Sequence, residues 1–398
     1  MPSSSVPPAF YRERRLPPYV FAETNRLKLA QRHAGRDVID FGMGNPDLPP
    51  APHIIEKLKE VAGDPRAHRY SASSGIPALR KALTRYYDRR FGVKLDADRE
   101  VCVTLGSKEG LANLAQAITA PGDVILAPDP SYPIHMFGFI IAGAAVRPIS
   151  FESPEQFLRD AAHACKHSIP APSALVLNFP SNPTAQIVDL DFYRDAVALA
   201  KANNLVLISD LAYSEIYFDG PPPPSILEVD GARDVAVEFT SVSKTYSMPG
   251  WRIGFAAGSE RLISALKRVK SYLDYGAFTP IQVAAIAALD GPQDNVEQLR
   301  TIYKSRRDVL VESFGRAGFD IPSPAATMFA WAPIPQPFAH LGSVDFSIRL
   351  LEQTGVAVAP GLGFGERGDG HIRLALVENE QRIRQAARAL KGFFDTKT

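Results

Sequence analysis

Leu205-Val-Leu-Ile-Ser-Asp210-Leu-Ala-Tyr213 is a short apolar run that ends on a carboxylate. Its length and its lack of polar alternation predict a strand buried on both faces. Further runs of this kind lie on either side, at Val101 to Thr104, Val124 to Ala127, Ala174 to Leu177, Val235 to Glu238 and Ile253 to Ala257. Between most of them the residues take helical spacing, as in Glu109 to Thr119 and Leu190 to Ala202. That alternation predicts an α/β fold, a mostly parallel sheet covered by helices, over one large domain at 51–290. A helical stretch from Gln293 to Ala317, Pro-rich joints at 322–336 and then isolated strands with a terminal helix predict a smaller α+β domain at 291–398. Residues 1–50 are too Pro-rich for a domain and are expected to pack with the small one.

The chain has 398 residues, two to three domains' worth at roughly 150 each, and 45% of them are hydrophobic, enough for a buried core. Lysine plus arginine total 44 against 43 acidic residues, and a net charge of +1 leaves no overall footprint for nucleic acid or an anionic membrane. A small-molecule partner is favoured. The two cysteines, Cys102 and Cys165, have no metal-ligand spacing and fit a reducing compartment. Phe137 to Val146, the longest apolar stretch, has 10 residues, well short of the roughly 20 of a spanning helix. The opening MPSSSVPP has neither a basic nor an apolar signal region, so a cytoplasmic location is expected.

The sharpest local signal is Ser241-Val-Ser-Lys244-Thr-Tyr-Ser-Met-Pro-Gly-Trp-Arg252-Ile-Gly. It puts hydroxyls, an amine and a guanidinium just after a strand, a combination that can bind a phosphate and form a Schiff base with an aldehyde cofactor; a solvated basic turn is the plain alternative. Asp210 stands at a strand's C-terminal end, where open α/β sheets bind ligands. It could pair with a pyridinium nitrogen or merely cap the next helix. Asn178-Phe-Pro-Ser-Asn182-Pro-Thr-Ala185 is a rigid turn able to aim an amide, although Asn-Pro turns are common. Gly106-Ser107-Lys108 opens a helix whose free N–H groups suit a phosphate. Tyr132, in Asp129-Pro-Ser-Tyr132-Pro, could stack on a flat ring or pack inside.

Taken together these residues resemble the pyridoxal 5'-phosphate (PLP) dependent class I/II aminotransferases of fold type I. The resemblance runs from Gly44-Asn-Pro-Asp47 and Tyr70 through Gly106-Ser-Lys108, Tyr132, Asn182-Pro-Thr, Asp210 with Tyr213, Ser241-x-Ser-Lys244 and Arg252 to His371-Ile-Arg373-Leu-Ala, nearly the whole chain. Segments such as LPPYVF, GSKEGL and SKTYSMPGWRIGF look like the bacterial alanine (glutamate:pyruvate) branch. The resemblance implies that Lys244 holds PLP as a covalent aldimine and later shuttles a proton, that Asp210 pairs with the ring nitrogen, and that Tyr213 and Asn182 donate to the ring oxygen while Tyr132 stacks. Gly106, Ser107, Lys108, Ser241, Ser243 and Arg252 would hold the phosphate, with Tyr70 reaching it from a neighbouring subunit of a homodimer. Arg373 would clamp the substrate α-carboxylate, and Gly44 and the segment around Tyr19 would close over it.

The activity implied is transfer of an amino group from an L-amino acid to a 2-oxo acid, with L-alanine and 2-oxoglutarate as the leading pair. Two departures matter. The family's usual Asn-Pro-Thr-Gly ends here in Ala185, which is expected to avoid positive φ. No arginine stands in Asp274 to Thr279, where aspartate-specific relatives bind a distal carboxylate; this fits a small substrate and leaves the hold on glutamate unexplained.

Other readings weigh less. Gly363-Phe-Gly365-Glu-Arg-Gly368 fits a dinucleotide fingerprint, but a strand-like run follows where a helix is required. Ser241-Val-Ser-Lys244 fits the S-x-x-K of penicillin-recognising hydrolases, whose companion elements are absent. His163 and His167 lack a third metal ligand nearby, and no metal is expected. A PLP-sensing regulator would need a DNA-binding module for which the first 50 residues have no room. An aminotransferase for another amino acid, or a PLP-dependent carbon–sulfur lyase, would use the same Lys244, Asp210 and Arg373.

Overall fold

The computed structural model describes residues 10–18 and 20–395; Tyr19 lies outside the described residues. The apolar runs form a seven-stranded sheet in the order β2-β8-β7-β6-β5-β3-β4. Its members are β2 (Val101–Thr104), β3 (Val124–Pro128), β4 (Ala145–Ile149), β5 (Pro172–Asn178), β6 (Val206–Asp210), β7 (Ala236–Ser241) and β8 (Gly254–Gly258). All neighbours pair in parallel except β8, which is antiparallel to both β2 and β7. Burial on both faces explains the unbroken apolar runs: β2 is buried throughout, and apolar clusters lie above and below the sheet. β4 was not anticipated. It is an edge strand with mostly exposed residues and carries Pro148, so it lacks the apolar signal of the central strands.

A second sheet joins β9 (Phe329–Pro333), β11 (Ala359–Pro360) and β12 (His371–Ala375), with β12 central and antiparallel to both. Its own apolar cluster includes Phe314, Phe346 and Leu374 and takes in the helix Asp294–Arg316. The N-terminal helix α1 (Phe21–His33) lies against the helix Gly342–Thr354, and β1 (Ile39–Asp40) pairs in parallel with β10 (Val356–Ala357). The Gly363–Gly368 segment forms two short 3-10 turns before β12 and opens no helix.

The turn after Asn182 corrects the expectation about Ala185. Its φ is +59°, in the left-handed region, at a cost of about 1 kcal/mol for a residue with a Cβ. Two backbone bonds close the turn against that cost, from Ala185 N to the Ser181 carbonyl and from Ser181 N to the Gln186 carbonyl, both 2.9 Å, and burial of the Ala185 methyl adds to them.

Candidate active site

Parallel strands deliver their C-terminal ends to one edge of the sheet. The β5–β6 register sets Asn178 beside Asp210, and β7 next to them ends at Ser241. That edge floors a cavity of about 310 Å³. From the large sheet it receives Asn182, Asp210 and Tyr213; from the turn after β7, Ser241, Ser243 and Lys244; from the opening of the helix Ser107–Ile118, Ser107 and Lys108. Tyr132 and Arg252 complete that side, while Gly44 and Arg373 enter from the smaller sheet's side.

Lys244 sits on a single helical turn, and its Nζ donates to the Gly44 carbonyl at 2.8 Å. Burial, with Arg373 and Arg252 nearby, lowers its pKa from 10.5 to about 8. The lowered pKa raises the neutral fraction of the amine, the form that attacks an aldehyde. Arg373, buried on β12, donates through Nη1 to Asn182 Oδ1 at 2.9 Å and through Nη2 to the Gly42 carbonyl at 3.2 Å. Its guanidinium lies 4.0 Å from the centre of the Phe329 ring and 4.6 Å from that of Phe364. The plane is thereby fixed for bidentate recognition of a carboxylate.

Asp210 has a partner that the sequence reading missed. His135 Nε2 is 2.9 Å from Asp210 Oδ2, and His135 Nδ1 is 2.7 Å from Ser131 Oγ. The imidazole is fully buried. With Asp210 as carboxylate, Nε2–H donates to it and Nδ1 accepts the Ser131 hydroxyl, which fixes the tautomer. Asp210 Oδ1 also accepts from Ala212 N at 3.2 Å, which closes a turn; no helix starts there, so Asp210 is not a helix cap. Burial raises the pKa of both Tyr213 and Tyr132, which remain neutral donors.

The anion cradle is built by close approach. Gly106 has φ +84°, and a Cβ there would strike the Arg252 guanidinium; Arg252 itself reaches the Leu105 carbonyl at 3.3 Å. Ser241 Oγ bonds Ser243 Oγ at 2.9 Å. These groups fit PLP: an amine for its aldehyde, a carboxylate at the sheet edge for its ring nitrogen, and hydroxyls, a helix N-terminus and a guanidinium for its phosphate. Tyr70, in contrast, lies outside the cavity and is 86% exposed. Phe21, Thr24 and Lys28 of α1, with Gly42, Met43 and Phe329, line the cavity without having been anticipated. His163 and His167 lie against each other on an exposed helix face, and no metal-holding cluster occurs among the described residues.

The fold and the site define a class. The family model for aminotransferase class I and II matches residues 36–390, and the chain belongs to that family. It is therefore an aminotransferase of fold type I, and its cofactor is PLP. It is 65% identical over 387 residues to AatC of Rhizobium meliloti (strain 1021), named as an aminotransferase with no substrate given, covering 97% of this chain and 96% of the relative. It is 52% identical over 385 residues to the glutamate-pyruvate aminotransferase AlaC of Escherichia coli (strain K12), covering 97% and 93%. At 43% over 381 residues it is similar to the LL-diaminopimelate aminotransferase of Desulforudis audaxviator (strain MP104C), covering 96% of each. No helix among the described residues is long and apolar enough to cross a membrane.

Proposed function

We propose that this aminotransferase exchanges the amino group between L-alanine and 2-oxoglutarate, giving pyruvate and L-glutamate. The observation that carries the site assignment is Lys244 Nζ, buried in the cavity it shares with Arg373 and Asp210, with its pKa lowered to about 8. PLP, when bound, supplies the sink for the electron pair released as the Cα–H bond breaks. Arg373 Nη1 and Nη2 hold the α-carboxylate and orient that bond. Lys244 Nζ would hold the cofactor's aldehyde carbon and, as a neutral amine in the cavity, would take the Cα proton. Asp210, kept in place by His135, holds the ring nitrogen's proton. Tyr213 and Asn182 would donate to the ring oxygen, Tyr132 would pack on the ring, and Ser107, Lys108, Ser241, Ser243 and Arg252, beside Gly106, would hold the phosphate. Gly44 lines the substrate side of the cavity.

The small-substrate reading is supported by the likeness to AlaC and by the absence of arginine from 274–279. The likeness to LL-diaminopimelate aminotransferase makes that diamino acid the second candidate. We further infer a cytoplasmic homodimer with shared sites, in which Tyr70 reaches the neighbour's phosphate, and a division into a large domain at 51–290 and a small one at 291–398. Tyr70 lies tilted against exposed Tyr275 at 4.7 Å, and His68 meets Phe278 at 5.6 Å, a solvent-facing aromatic surface of the kind that associating chains bury. The test is the visible band of the purified holoenzyme. L-Alanine should bleach it and pyruvate restore it; bleaching by LL-diaminopimelate alone would transfer the assignment to that substrate.

A further inference from the structure

Two buried polar residues interrupt the face that α1 turns to the cavity, Thr24 and Lys28. Thr24 is satisfied within its own helix by the Phe21 carbonyl at 3.1 Å. Lys28 reaches outward. Its side chain is 9% exposed, and its Nζ meets Asp40 Oδ2 at 3.0 Å. A buried ion pair contributes little net stability, because desolvation offsets the attraction. Its geometry is the more informative feature.

Asp40 ends β1 and presents its other oxygen to the loop that follows. Oδ1 accepts from Gly42 N at 2.9 Å, and the Gly42 carbonyl in turn accepts from Arg373 Nη2 at 3.2 Å. Flanking bonds hold the strand itself: Phe41 N to the Ala357 carbonyl at 2.9 Å, Ala375 N to the Phe41 carbonyl at 2.7 Å, and Asp40 N to Glu378 Oε1 at 3.1 Å. The peptide before Gly42 is thus pinned, while the carbonyl after it belongs to a residue with no Cβ to restrain it. We infer that Lys28 and Asp40 are positioning residues for the carboxylate clamp: the ion pair fixes Asp40, Asp40 fixes the Gly42 N–H, and Gly42 fixes one arm of Arg373. The other arm is fixed independently by Asn182 Oδ1 at 2.9 Å.

Arg32 is the competing cation, 3.5 Å from Asp40 Oδ2 and half exposed. Without Lys28, Asp40 turns toward Arg32 and water, and the Gly42 bond is released. The inference rests on Arg373 binding the α-carboxylate, a group common to every amino acid substrate, so its signature is a loss shared by all of them.

The experiment compares Lys28→Met, Lys28→Arg and Asp40→Asn holoenzymes with the parent, using kcat and KM for L-alanine and L-glutamate. The affinity for propionate, a carboxylate without an amine, is read from its effect on the cofactor band. Lys28→Met should raise both KM values about tenfold and weaken propionate by the same factor, while kcat falls less than threefold and the band stays in place. Asp40→Asn should act in the same direction, and Lys28→Arg should recover most of the loss. Unchanged propionate affinity in both Lys28→Met and Asp40→Asn overturns the inference. So does a KM rise for glutamate alone, which would make Lys28 a direct side-chain contact, or a joint loss of band and kcat, which would make it structural support. Arg373→Lys separates the levels: if propionate binding survives that change, the reading of Arg373 itself falls.

Discussion

Removing the cofactor and returning it at a series of pH values tests the state of Lys244. Burial and two neighbouring guanidinium groups lower its pKa from 10.5 to about 8, a preference for the neutral amine of about 3 kcal/mol. At pH 7 an amine of ordinary pKa is roughly 0.03% neutral and one of pKa 8 roughly 9%, an advantage of about 300-fold in reactive form. Growth of the visible band after mixing apoenzyme with excess PLP gives the capture rate. The same mixing with a free lysine derivative corrects for ionisation of PLP itself. The corrected rate should climb tenfold per pH unit up to about 8 and then level off. Because burial is the largest cause, Arg373→Met should raise the midpoint by less than about one unit. A corrected rate still climbing at pH 10 would refute the argument, since Lys244 would then titrate as an exposed lysine.

Asp210→Ala should leave PLP attached but slow bleaching by L-alanine about 10²- to 10³-fold, the usual cost of losing one charge-stabilising group; stopped-flow absorbance measures it, and a rate near the parent's would remove Asp210 from the chemistry. Arg373→Lys keeps the charge and loses the fork, so KM for L-alanine should rise about 30- to 100-fold, and an unchanged KM would sink the clamp. Buried Glu238, held by Tyr87, Ser209, Ser225 and the Ile226 N–H, has its pKa raised by burial from 4.5 to about 7. The folded chain therefore holds the proton more tightly, and this contribution is complete below pH 4.5 and lost as pH rises to about 7, by up to about 3 kcal/mol. Glu238→Gln should flatten that part of the urea-midpoint profile, and an identical profile would contradict the assigned pKa.

Legibility in the sequence followed sequence distance. The strand ends deliver Asn182, Asp210 and Ser241 to one edge because parallel pairing aligns C-terminal ends, and each of those runs is local and apolar enough to recognise. His135 escaped because it lies inside Ile134–Ala142, an almost wholly apolar helix, and its partner is 75 positions away. Its local signal is Ser131 four residues before it, a hydroxyl within reach of a histidine that must find hydrogen bonds once buried. Gly42 escaped for the same reason, since the bond from Arg373 to Gly42 spans 331 positions. Ala185 misled because propensity alone forbids its φ, whereas two turn bonds impose it.

Charge carries the same lesson from composition to site. The chain is nearly neutral overall, with 44 basic and 43 acidic residues, and that balance says nothing of a local field. The cavity wall carries Lys28, Lys108, Lys244, Arg252 and Arg373. Asp40 neutralises Lys28 at 3.0 Å, and Asp210 faces His135, not a cation of the wall. Four basic groups are left to meet a phosphate and a substrate carboxylate. The lowered pKa of Lys244 follows from that excess as well as from burial, since each anion that arrives relieves the repulsion by Arg252 and Arg373 that favours its neutral form. Phosphate and carboxylate binding should therefore raise the proton affinity of the same nitrogen that must collect a proton from Cα, so that the groups that bind the substrate also prepare the base.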